Sequence, residues 1–211
     1  MSTGSENIGF IGLGIMGTEM AGRLLSEGVA GTSSSNALYI WNRSKDKCFS
    51  LQDKFKEKVI IVCETPKEVV QGCSVTFSML STPEASREVF FADENGVLAG
   101  IQEGKAIVDC ATLAEIDMRN MNECVIEKGG RFLEAPVSGS KVPAATGQLI
   151  FLCSGSKTLF EEVLPTGFKA MGKASHFFGE DVGDGTRAKL VINALMAANM
   201  GKAYFHCLYT S

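Results

Sequence analysis

Histidine is nearly absent from this chain. Its 211 residues hold two, His176 and His206, too far apart in sequence to suggest a shared ligand set. A structural zinc site is therefore not expected. Excess positive charge is missing too. Twenty Lys and Arg stand against 24 Asp and Glu, a net charge of −4, and there is no basic run. That argues against nucleic-acid backbone binding as the main activity. The seven cysteines are odd in number, scattered, and form no C-x-x-C pair. This suits reduced thiols, not a disulfide framework. No run of about 18 apolar residues occurs, so no membrane span is expected. The nearest approach, 190–209, is interrupted by Asn193, Asn199, Lys202 and His206. The opening MSTGSEN is polar and has neither a signal peptide nor an Arg-rich transit pattern, so a cytoplasmic protein is expected.

What remains is an ordinary globular composition, 45% apolar and 21% charged, enough to build a core. Glycine is plentiful at 23 residues, as tight turns and close backbone approach to a ligand require. Apolar runs of strand length alternate with helical stripes. Strands are expected at 7–12, 37–41, 59–63, 74–80, 105–110, 131–135, 148–154 and 175–178. Helices are expected at 15–27, 44–57, 66–71, 83–91, 114–128, 159–171 and 184–209. Such β-α repetition predicts an α/β fold: a Rossmann-type, doubly wound, mostly parallel sheet followed by one long C-terminal helix. Ligands bind such sheets at the carboxyl ends of their strands. The expected division is a nucleotide-binding domain over 1–182 and a connecting helix over 183–211.

Gly12-Leu13-Gly14-Ile15-Met16-Gly17 is a G-x-G-x-x-G turn between the first strand and first helix. Gly12 permits the tight turn, Gly14 lets backbone approach a pyrophosphate, and Gly17 lets helix and strand pack closely. The helix start adds free N–H groups and a positive dipole end. The second strand ends Trp41-Asn42-Arg43-Ser44, without the carboxylate that would hold the ribose hydroxyls of NAD. A guanidinium beside a hydroxyl suits a 2′-phosphate instead, so NADP(H) is expected over NAD(H). Met79, Leu80 and Ser81 end the fourth strand, where they should line the cofactor.

The opening GFIGLGIMGTEMAGRLL with WNRS resembles the β-hydroxyacid dehydrogenase family, relatives of 3-hydroxyisobutyrate and 6-phosphogluconate dehydrogenases. Three later segments agree in order. Asp109-Cys110-Ala111-Thr112 stands where the family has D-x-S-T, and Glu134–Ser140 (EAPVSGS) resembles its substrate loop. Gly185-x-x-x-Lys189-x-x-x-Asn193 matches its catalytic helix motif. Within the family, the continuous string EAPVSGSKVPAATGQLIFLCSG, with Ser140 in place of a second glycine, is most similar to the glyoxylate/succinic semialdehyde reductase branch, which prefers NADPH. The resemblance implies reduction of a small carboxylate-bearing aldehyde or keto acid. Lys189 would be the general acid, Asn193 would orient it, Ser138, Gly139 and Ser140 would hold the substrate carboxylate, and Thr112 would lie near the nicotinamide ribose.

The residues support that chemistry in their own right. Lys189 and Asn193 share a helix face at i and i+4. The helix around them is apolar nearly all round and is expected to be buried, where a lysine needs a partner or a task. Ser138 lacks the G-x-S-x-G elbow of a hydrolase nucleophile. Cys110 and Cys153 are expected to be inert core thiols. His176 is expected to be a packed strand residue, and the lysines at 45, 47, 54, 56 and 58 a solvated helix face. A methyltransferase would share the glycine loop but normally places a carboxylate where Asn42 and Arg43 stand.

Members of that family continue past the long helix into an all-helical domain, whereas this sequence stops at Ser211. A truncated form is expected, its C-terminal helix offering an exposed apolar surface for self-association. The alternative function is a weakly active or inactive dinucleotide-binding or interaction module.

Overall fold

The computed structural model describes residues 7–209, with side chains described as far as Asn199. The polar residues 1–6, Thr210, Ser211 and the side chains of His206 and Cys207 lie outside the described residues. Ile8–Ile11 (β1), Ile15–Ser26 (α1), Leu38–Trp41 (β2), Lys45–Lys54 (α2), Ile60–Val62 (β3), Pro66–Gly72 (α3) and Val75–Ser78 (β4) make the first half. Pro83–Phe91 (α4), Val97–Gly100 (α5), Ala106–Asp109 (β5), Glu115–Glu127 (α6) and Arg131–Glu134 (β6) continue it. Val137–Ser138 (β7), Lys141–Ala145 (α7), Leu149–Gly155 (β8), Lys157–Val163 (α8), Lys169–Met171 (α9), Gly172–Phe177 (β9) and Asp184–Tyr209 (α10) follow.

The first six strands lie in the order β3-β2-β1-β4-β5-β6, all parallel. That is the doubly wound order whose reversal beside β1 opens a ligand crevice. Strand β8 runs antiparallel to β6 and β7, and β9 pairs with β8 in parallel. Alternate side chains of the central strands enter opposite cores. Phe10, Phe77, Val108 and Leu133 face one, while Ile11, Ile107 and Phe132 face the other. This two-residue alternation buries both faces of the sheet under helices. Phe168 joins the first core by stacking on Phe151 at 4.3 Å and meeting the edge of Phe77 at 6.3 Å.

Helix starts follow local chemistry. Thr65 accepts from the Glu68 amide at 3.2 Å and Thr82 from the Ala85 amide at 3.1 Å, each just before a proline in the first turn. These are ordinary side-chain caps with proline where no N–H is needed.

Several elements differ from expectation. Helices α5 and α7 and the two-residue strand β7 are additions too short to carry a periodic pattern. The helix expected at 159–171 is interrupted by a π turn, Leu164–Phe168. Pro165 removes an N–H there, and the wider turn accompanies the Phe168 stacking. His176 is exposed on β9, a strand residue that is not packed. Burial expected around Lys189 does not continue along α10: Leu190 is 47% and Leu195 59% exposed, so the described part of the helix has the exposed apolar surface also expected of it. No helix among the described residues is long and apolar enough to cross a membrane.

Candidate active site

The glycine turn behaves as its spacing predicts. Gly12 has φ +94°, and a Cβ there would stand 2.5 Å from the Met79 carbonyl oxygen. A Cβ on Gly17 would fall on the Gly12 carbonyl oxygen, so α1 packs directly on the turn. Gly14 differs: nothing lies within 4 Å of its added Cβ. Its open side faces the crevice at the start of α1, where no side chain caps the first amides. Unpartnered helix N–H groups beside open space suit an anionic pyrophosphate.

Asn42 ties this turn to the second strand end. Its Oδ1 accepts from the Leu13 amide at 2.9 Å, and its Nδ2 donates to the Ser44 carbonyl at 2.9 Å. Asn42 therefore acts through the loop rather than standing free for ribose. The Arg43 side chain is 81% exposed, and its ion pair with exposed Glu88, at 3.8 Å, is long. Such a surface pair is worth little, so the guanidinium can turn to a phosphate.

A cavity of about 440 Å³ lies between these ends. Of the expected cofactor residues, Gly12, Gly14, Asn42, Arg43, Ser44, Met79, Leu80 and Ser81 line it. Leu13 is buried and takes part through its amide, while Ile15, Met16 and Gly17 form the helix start beside it. Thr112 is exposed and lies outside the cavity wall. Sequence reading missed Trp41, Lys47, Thr65 and Asn95, which also line the cavity. Lys47 is one helical turn beyond Arg43, a spacing that could have revealed it. Thr65 and Asn95 come from later connections, which carry no motif. The lysine face expected on α2 is divided. Lys47 lines the cavity, and Lys45 turns inward to donate to the Cys63 carbonyl and pair with Glu64 at 3.4 Å.

Helix α10 begins against β8. A Cβ on Gly185 would collide with the Leu152 carbonyl oxygen, so glycine lets the helix touch the strand. Lys189 follows at i+4 on that same face and is 7% exposed. It has no hydrogen bond or ion pair among the described residues. Burial holds its ammonium below the ordinary lysine range. Asn193 continues the stripe but is exposed and makes no bond to Lys189. Ser138 pairs with Ile150 on β8, two residues from the Leu152 contact of α10. Ser138 and the start of α10 thus flank one strand. Gly139 has φ +141°, where a side chain would be strained, and Ser140 is exposed.

Ion pairs fasten the start of α10 from outside. Arg119 holds Asp181 with two bonds of 2.7 and 3.0 Å, and Glu115 accepts from Arg119 at 3.0 Å and Arg187 at 2.6 Å. These arginines hold the Glu115 and Asp181 carboxyls below their usual range. Cys110 and Cys153 are buried, and burial pushes both thiols up, as expected of inert core thiols.

Asp109, fully buried at the end of β5, is pushed up to about 6 by burial, despite bonds from Ser78 Oγ at 2.6 Å and the Ala111 amide at 3.0 Å. The fold therefore binds this proton more tightly than the unfolded chain does. The protonated form's extra stability is full below about pH 4 and is lost as pH rises through about 6. Asp109→Asn should raise the melting temperature near pH 7.5 by about 2 °C or more. That gain should vanish near pH 4, and an equal gain at both pH values would show that ionisation of Asp109 is not the cause.

A glycine-turn crevice on a doubly wound sheet defines a nucleotide-binding domain of the dehydrogenase type. Residues 7–179 match the family described as the NAD binding domain of 6-phosphogluconate dehydrogenase, and the chain belongs to that family. It is 45% identical over 193 residues to glyoxylate/succinic semialdehyde reductase 1 of Arabidopsis thaliana, covering 92% of this chain and 62% of that protein. It is 40% identical over 200 residues to the chloroplastic reductase 2 of Arabidopsis thaliana, covering 93% and 51%. The chain thus spans between half and two thirds of those relatives. Among solved structures, Mycobacterium tuberculosis 3-hydroxyisobutyrate dehydrogenase with L-serine is similar with a TM-score of 0.78 at 25% identity, over 91% of this chain and 60% of that one.

Proposed function

We propose that this chain is the cofactor-binding and proton-donating part of an NADP-dependent oxidoreductase. Its substrate is a small aldehyde or keto acid bearing a carboxylate, of the glyoxylate or succinic semialdehyde type. One observation carries the reading: a buried lysine with no bonded partner among the described residues, on the Gly185 face of α10. Reductases named for these two substrates are relatives at 45% and 40% identity, which supports the substrate class.

NADPH, when bound, supplies hydride to the substrate carbonyl carbon. Lys189 meets the carbonyl oxygen, stabilises the negative charge growing there and transfers its proton to give the alcohol. Its lowered pKa makes the ammonium a readier donor at neutral pH. Ser138 and Ser140 offer hydroxyl groups, and Gly139 and Ser140 amides, to the substrate carboxylate. Asn193 would extend the polar stripe of Lys189 to the substrate, and Thr112 would border the nicotinamide ribose.

Arg43 with Ser44, and Lys47 beside them, supplies the preference for a 2′-phosphate. Purified chain should oxidise NADPH when given glyoxylate or succinic semialdehyde. Arg43→Ala should weaken NADPH binding about ten- to a hundredfold while changing NADH binding less than about twofold. Equal loss for both cofactors would remove Arg43 from that role. A second reading, a binding module that docks through α10, is favoured by the exposed Leu190, Val191, Leu195 and Met196. NADPH binding without turnover on either substrate would select it.

A further inference from the structure

Glu134 ends β6 and is completely buried, yet its carboxylate has no cationic partner among the described residues. It meets the start of α10 instead. Oε1 accepts from the Gly183 amide at 2.7 Å, the Gly185 amide at 2.9 Å and the Thr186 amide at 3.4 Å. Ser154 Oγ also donates to Oε1, and Thr186 Oγ1 donates to Oε2 at 2.8 Å. Gly185 and Thr186 belong to the first turn of α10, whose amides have no partner within the helix. A carboxylate there replaces the usual cap and lies at the positive end of the helix dipole. A buried carboxylate without such donors would be strongly unfavourable. The cap comes from a distant strand, so it fixes where α10 sits on the sheet as well as that it starts. Lys189 stands one turn further, on the Gly185 face.

We infer that Glu134 is a positioning residue for Lys189, an anionic anchor that seats the first turn of α10 against β8 and so holds the lysine amine at the sheet edge. The inference rests on reading Lys189 as the proton donor, but its test does not need turnover. Glu134→Gln keeps the side-chain shape and one accepting oxygen, and the Thr186 hydroxyl can reverse to accept from the new amide. The variant is therefore built to fold. Asp109, Glu115, Arg119, Glu180, Asp181, Asp184 and Arg187 are the charged groups of β5, α6, the 178–183 connection and α10 around this turn, and none is altered.

The experiment is trace labelling of the full chain with acetic anhydride across a pH series, with the Lys189 peptide read by mass spectrometry. Melting temperature and NADPH binding are recorded alongside. In the natural chain the Lys189 midpoint should lie below that of an exposed lysine. In folded Glu134→Gln it should move upward by about one pH unit as the amine leaves its buried seat. Amide exchange over 185–189 should quicken about tenfold or more. Simple loss of a nearby negative charge would move the midpoint downward instead, so a downward shift overturns the positioning role. An unmoved midpoint with unmoved exchange in a folded variant also overturns it. Thr186→Val, which removes only the Oε2 bond, should shift both readouts in the same direction but less. It decides the question if Glu134→Gln fails to fold, and unchanged exchange in it would then end the proposal. Absence of reductase activity in the natural chain would count against the proposed function and leave this outcome independent.

Discussion

Replacing Lys189 by alanine should lower kcat by about two to four orders of magnitude, with NADPH affinity changed by less than about twofold. The split follows from geometry. Lys189 does not line the cavity between the glycine turn and Arg43, so cofactor binding does not depend on it. It is buried without a partner among the described residues, so its removal breaks no bond and relieves a desolvated charge. Stability should hold or rise slightly, which separates loss of chemistry from loss of fold. Lys189→Arg should not rescue turnover. The guanidinium is larger and stays charged at all working pH values, so it cannot pass its proton on. Turnover of Lys189→Ala within about threefold of the natural chain would remove Lys189 from the mechanism. Equal loss of NADPH binding would give it a structural role instead.

The parts of this molecule that could be read without coordinates are those where one local rule decides the outcome. Ile8–Ile11, Gly12–Gly17 and α1 follow from an apolar run, a glycine spacing and a helical stripe. Arg43 follows from its place at a strand end. Strand β7 has two residues and exists because β8 returns beside it, a pairing that no local pattern encodes. Glu134 sits inside a segment read as substrate loop, yet its side chain turns back beneath α10. Burial of a carboxylate depends on donors 49–52 positions away in sequence, and periodicity is blind to such partners. The apolar character of α10 supports two expectations, burial around Lys189 and an exposed apolar surface for self-association. Each holds for part of the helix: Lys189 is buried, whereas Leu190, Val191, Leu195 and Met196 are exposed.

Gly14→Ala and Gly17→Ala should fail in opposite ways, although both alter one turn. A Cβ at Gly17 falls on the Gly12 carbonyl oxygen and stands 3.2 Å from the Phe10 ring. Backbone meets backbone there, so α1 must move off β1, at a cost of about 2–4 kcal/mol. Melting should fall by about 5–15 °C, and NADPH binding should be lost with the turn. Gly14 has φ −70° and ψ −166°, ordinary for any residue, and an added Cβ meets nothing within 4 Å. Alanine is a poorer N-cap than glycine by up to about 1 kcal/mol, so the melting temperature of the free chain should fall by no more than about 2–4 °C. The added methyl would occupy the space from which a pyrophosphate must approach the first amides of α1. NADPH affinity should therefore drop at least about tenfold in a fully folded protein. Measuring melting temperature and NADPH titration on both variants separates the glycine that holds the turn together from the one that leaves room for the ligand. If Gly14→Ala binds NADPH like the natural chain, the pyrophosphate does not sit at the start of α1.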